Sequence, residues 1–132
     1  MASILKVDTL TGVTTAGSIS VTGEGNSTTT NLQQGLAKVW QNTNVTTLQD
    51  SNNVSSVTDT ATGKLTVNYT ANMANAIYTV TMNCAIQGQV PICYCQDGSF
   101  NTTSAHRVNT EIEAGALADA EYIGSQVTGD LA

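Results

Sequence analysis

Positive charge is nearly missing from this 132-residue sequence. Lys6, Lys38, Lys64 and Arg107 are its only Lys or Arg residues, set against 10 acidic residues for a net charge of −6. Phosphate backbones and anionic membrane surfaces are held by clusters of Lys and Arg. The four here are scattered, so neither nucleic acid nor acidic lipid is an expected partner. Aromatics make up 5% of the chain, Pro91 is the single proline and His106 the single histidine. No apolar run approaches the length of a membrane-spanning helix. The opening Met1-Ala2-Ser3-Ile4-Leu5-Lys6 has neither a basic cluster nor an apolar core. No secretory leader is therefore expected, and synthesis in a cytoplasm is.

Cysteine is scarce as well. Cys84, Cys93 and Cys95 are spaced C-x8-C-x-C, unlike the paired C-x-x-C of structural zinc sites. An odd count in a cytoplasmic product speaks against a disulfide framework. The three thiols read as small buried apolar side chains, or as a cluster that a symmetry axis would gather. No metal site and no cofactor is expected.

What fills the space is threonine, with 22 Thr, 10 Ser and 12 Asn. Thr is β-branched and stiff at χ1, so it favours strands while keeping a polar tip. Such a chain can build pleated, half-buried surfaces with little charge and a thin apolar inventory.

Along the chain the pattern changes twice. Residues 1–31 show no core-forming period, because Gly12, Gly17, Gly23 and Gly25 break them into short extended pieces. They read as an extended arm that needs a partner surface, or as a loose terminus. Residues 32–44 form a short helix and linker: Leu32, Leu36, Val39 and Trp40 recur at helical spacing and place one stripe where an oligomer could bury it. Gly35 and the short length leave that helix marginal alone.

From 45 to 132 the period is two. Val54 and Val57 mark a strand, Asp59 to Gly63 a hairpin loop, and Leu65, Val67 and Tyr69 one face of the next strand. Tyr78, Val80, Met82 and Cys84 share another face. Val90, Ile92 and Tyr94 follow as a half-strand that Pro91 marks as an edge. Val108, Thr110 and Ile112, then Glu121, Ile123, Ser125 and Val127, complete the series. The expected fold is all-β, an antiparallel sandwich or barrel behind an extended N-terminal arm and one short helix. So thin a core favours a homo-oligomer, in which copies share buried surface.

Two segments carry a resemblance. Met1-Ala2-Ser3-Ile4-Leu5-Lys6-Val7-Asp8-Thr9-Leu10, with the Gly- and Thr-rich sequence after it, resembles the N-terminal part of fibre-like virion proteins of marine and cyanobacterial phages. Asp50 to Asp59, Gly63 to Thr70 and Met73 to Tyr78 look like a β-meander module of phage tail-fibre tips. The resemblance covers about half the chain. It implies a homotrimeric appendage of the virion, attached to other virion proteins by its N-terminal part and meeting a host surface, such as a cell-surface glycan, with its C-terminal part. Tail fibres are usually longer, so a head fibre or a capsid decoration protein clamping shell subunits fits the length equally.

No catalytic signature accompanies this pattern. His106 beside Arg107 reads as a surface or interface hydrogen-bonder, and Glu111 with Glu113 as a solvated strand face. A small hydrolytic domain would have to use these groups, and no enzymatic activity is expected. The loop with Gln96, Asp97, Phe100 and Asn101 is the candidate receptor contact, with Phe100 either a folded-back anchor or a contact residue.

Overall fold

Short stretches that alternate Thr or Asn with Val, Leu or Tyr can bury one face of a pleat and leave the other in water. The computed structural model describes residues 4–13, 19–22, 29–44, 46–95 and 101–131. The chain divides into two compact units, Met1–Gly35 and Leu36–Ala132.

In the first unit β1 (Ser20–Thr22) pairs antiparallel with β2 (Thr29–Asn31). One helical turn, α1 (Leu32–Gly35), follows, and its Leu32 amide donates to the Ile19 carbonyl at 2.8 Å. Residues 4–13 contain neither strand nor helix.

The second unit is a sandwich of two antiparallel four-stranded sheets. Its strands are β3 (Val39–Asn44), β4 (Thr47–Asn52), β5 (Val54–Ala61), β6 (Lys64–Tyr69), β7 (Thr79–Ala85), β8 (Pro91–Tyr94), β9 (Ala105–Ile112) and β10 (Tyr122–Thr128). One sheet runs β4-β3-β10-β7 and the other β5-β6-β9-β8. The first and last strands of the unit, β3 and β10, are therefore neighbours at the middle of one sheet.

Leu65, Val67 and Tyr69 of β6, Val108 of β9, Ile123 and Val127 of β10, and Val39 of β3 fill the interior. Each aliphatic side chain so buried contributes roughly 1.5–3 kcal/mol. Val80, Met82 and Cys84 of β7 pack against them from the edge. The alternation expected from the sequence holds in β6 and β7, while Asn109 of β9 and Gly124 of β10 are buried out of turn.

Two tight turns direct the chain, one from sheet to sheet and one within a sheet. Asn53 links β4 to β5 with φ at 58°, a left-handed conformation that Asn tolerates better than most residues. Its amide then clamps the start of the β6–β7 connection: Ala71 N–H donates to Asn53 Oδ1 at 2.6 Å, and Asn53 Nδ2 donates to the Ala71 carbonyl at 3.0 Å. Gly63 turns β5 into β6 with φ at 67°. Its amide donates to Asp119 Oδ1 at 2.6 Å and its carbonyl accepts from the Thr110 amide at 2.8 Å. A Cβ there would stand 2.5 Å from the Thr110 carbonyl oxygen, so this close approach needs glycine.

Two sequence expectations are corrected. The helix stops at Gly35, and Val39 and Trp40 lie in β3 rather than on a stripe with Leu32 and Leu36. One helical turn carrying a glycine gains less than a strand hydrogen-bonded on both sides, by β4 and β10. Val39 is fully buried within its own chain and is removed from the candidate oligomer surface, whereas Leu36 is exposed. In β8 the inward residue is Cys93, not Ile92, which is 45% exposed. Cys93 stands opposite the buried Thr110 of β9, and cross-strand neighbours share a face.

Candidate functional site

Polar side chains occupy both the interior of the sandwich and one outer face, and the two groups differ in what they can do. Inside, alternation aims Tyr69 of β6 and His106 of β9 at Ser125 of β10 and at Gln41 and Thr43 of β3. All five are buried. Tyr69 Oη lies 2.9 Å from His106 Nδ1, and His106 Nε2 lies 3.0 Å from Ser125 Oγ. Gln41 Nε2 donates to Ser125 Oγ at 3.2 Å, and Thr43 Oγ1 donates to Gln41 Oε1. A neutral imidazole satisfies both its contacts when the phenol donates to Nδ1 and Nε2–H donates to the serine.

This chain contains the residue types of a nucleophile and a base, but its setting is that of a core network. His106 is wholly enclosed, and burial lowers its pKa from 6.5 to about 4. Burial likewise pushes the Tyr69 phenol well above its ordinary range. The expectation of His106 at a surface or interface is thereby corrected. Its flanking residues, half-buried Ala105 and exposed Arg107, follow the strand alternation that turns His106 inward.

The outer face of the β4-β3-β10-β7 sheet carries a shallow groove of about 360 Å³ lined by Trp40, Thr81, Asn83, Tyr122, Gly124 and Gln126, among others. Strand register builds it. Gln126 of β10 stands between Trp40 of β3 and Thr81 of β7, and Gly124 stands between Asn42 and Asn83. Trp40 is 38% exposed and Tyr122 36%, high for aromatic rings on a sheet. A Cβ on Gly124 would overlap Asn83 Oδ1 and come within 3.2 Å of the Tyr122 hydroxyl. These two polar groups therefore converge directly over the buried Gly124, whose missing Cβ makes room for them.

The other candidates are dispersed. Gln96, Asp97 and Phe100 lie outside the described residues. Asn101 is half-buried, and its Oδ1 has no partner among the described residues. Glu111 accepts a hydrogen bond from the Tyr94 hydroxyl, while Glu113 is exposed. Cys84 and Cys93 meet between the edge strands β7 and β8, and burial followed by this contact pushes the Cys84 thiol up to about 12. Cys95 is exposed. Among the described residues no three His, Cys, Asp or Glu side chains gather where a metal ion could be held.

Sequence reasoning missed the groove because Trp40, Asn83 and Tyr122 come from three strands far apart in the chain. The one local signal was Gly124 inside an otherwise alternating strand, which marks a close approach. Set against family models, curated proteins and solved structures, the chain matches none.

Proposed function

We propose that the chain is a structural protein of a bacteriophage virion, a homotrimeric fibre. Its N-terminal arm joins it to its own copies and to other virion proteins, and its sandwich meets the host surface. The observation that carries this reading is the state of residues 4–13. Ile4, Leu5, Val7, Leu10 and Val13 are all exposed on a segment without regular structure. Each such side chain forgoes roughly 1.5–3 kcal/mol while it stays in water, so the segment gains most by lying against another chain. An exposed Leu36 offers a further apolar contact. The charge-poor, Thr-rich composition fits a coat component rather than a catalyst of charged substrates.

Sedimentation velocity on the full chain tests the reading. A species of three chain masses is expected, and Leu5→Asp combined with Leu10→Asp is expected to dissociate it. A stable monomer at micromolar concentration overturns the trimer. Imaging of the particle separates a fibre, present in few copies at one attachment point, from a decoration protein that covers the shell.

A further inference from the structure

Resting on the reading that the sandwich faces a host surface, we propose that the groove between Trp40 and Tyr122 binds a neutral saccharide. Three features of the groove point to that ligand class. The first is shape. Asn83 and Tyr122 pack over the buried Gly124, and together with Trp40 they border a groove of about 360 Å³, within the size range of small-molecule sites.

The second is the pairing of chemistries. A sugar ring presents C–H groups on its faces and hydroxyls at its rim. The half-exposed indole of Trp40 offers those C–H groups the electron-rich face of an aromatic ring. The Asn83 and Gln126 amides and the Thr81 and Tyr122 hydroxyls can each donate and accept, as vicinal hydroxyls require.

The third is charge. No lining residue is Asp, Glu, Lys, Arg or His, and the chain carries −6 overall. A phosphate, sulfate or carboxylate would find no counter-charge and an unfavourable field. A second copy of the chain is a poorer occupant. The cores of stable interfaces are more apolar than the rest of a protein surface, whereas Trp40 is bordered across the strands by the amides of Asn52 and Gln126.

Trp40 is the only tryptophan, so intrinsic fluorescence of the full-length protein reads this site directly. Titration with neutral gluco-, galacto- and manno-oligosaccharides is expected to give a saturable change at millimolar concentration or below with at least one of them. Asn83→Ala and Tyr122→Phe each remove hydrogen-bonding capacity from the exposed groove and are expected to weaken binding about fivefold or more. Trp40→Ala, followed by calorimetry, is expected to abolish it. Absence of saturable binding across the panel overturns the proposal, as does binding that survives Trp40→Ala and Asn83→Ala, or a preference for anionic oligosaccharides. Sedimentation of the same samples keeps the two readings apart. A monomer that binds sugar overturns the fibre and leaves the site standing, and a trimer blind to sugar does the reverse. A trimer dissociated by Trp40→Ala would assign this face to a second copy and overturn the site.

Discussion

His106 of β9 and Ser125 of β10 meet across the interior, Nε2 to Oγ at 3.0 Å, so one hydrogen bond joins two sheets that belong to separate strand ladders. The imidazole is held by a phenol from its own sheet and a hydroxyl from the other, and the phenol's donation to Nδ1 depends on the ring remaining neutral.

Acid is expected to loosen the sandwich through this residue. Burial lowers the His106 pKa from 6.5 to about 4. Between those values the unfolded chain takes up a proton that the folded chain refuses. The neutral-ring contribution is complete above pH 6.5 and is lost as pH falls towards 4, amounting to about 3 kcal/mol across the window. Thermal melts at steps through that range are expected to show a falling Tm. In His106→Gln the part of the slope due to this residue disappears, and an unchanged slope would refute the assignment.

Ser125→Ala is expected to cost about 1–3 kcal/mol, because His106 Nε2–H and Gln41 Nε2 both lose their acceptor in a buried setting. Combined with His106→Leu, the two costs are expected to be less than additive, since the second change removes a donor that the first has stranded. Urea denaturation of the four proteins measures the cycle. Strict additivity would mean the contact carries no coupling.

Asn53 separates backbone from side-chain effects. Asn53→Ala loses the amide clamp on Ala71 and places an alanine at φ 58°, for an expected cost of about 2–3 kcal/mol. Asn53→Gly relieves the strain and keeps the loss of the clamp, so it is expected to lie between wild type and Asn53→Ala. Equal stability of the two variants would remove the backbone contribution.

Thiol labelling is expected to begin at the exposed Cys95 and to reach the half-buried Cys84 later. With its pKa pushed from 9.0 to about 12, Cys84 holds roughly a thousandfold less thiolate than an ordinary cysteine at neutral pH. Mass spectrometry after timed alkylation checks the order, and rapid labelling of Cys84 in the native protein would contradict its packing against Cys93 of β8.

What the sequence discloses follows from how local each signal is. Leu65, Val67 and Tyr69 alternate with Thr66 and Asn68, so the inward face of β6 can be read directly. β3 conceals itself. Its buried face is Val39, Gln41 and Thr43, two of them polar, while Val39 and Trp40 chance upon helical spacing with Leu32 and Leu36. The distant partner β10, which supplies Ser125, joins Thr43 in making a buried Gln41 tenable. His106 is concealed in the same way, since a lone polar residue beside Arg107 gives no hint of Tyr69 and Ser125 waiting on other strands. In β8 the apolar spacing of Val90 and Ile92 misdirects, because Thr110 across the ladder decides which face turns inward.

The pairing of β3 with β10 places a demand on the ribosome. β3 emerges early and must wait, one flank unsatisfied, until the stretch ending at Thr128 has been translated and can slot between it and β7. Nascent chains cut short before that point would carry two open strand edges, on β3 and on β7, and open edges invite pairing between chains.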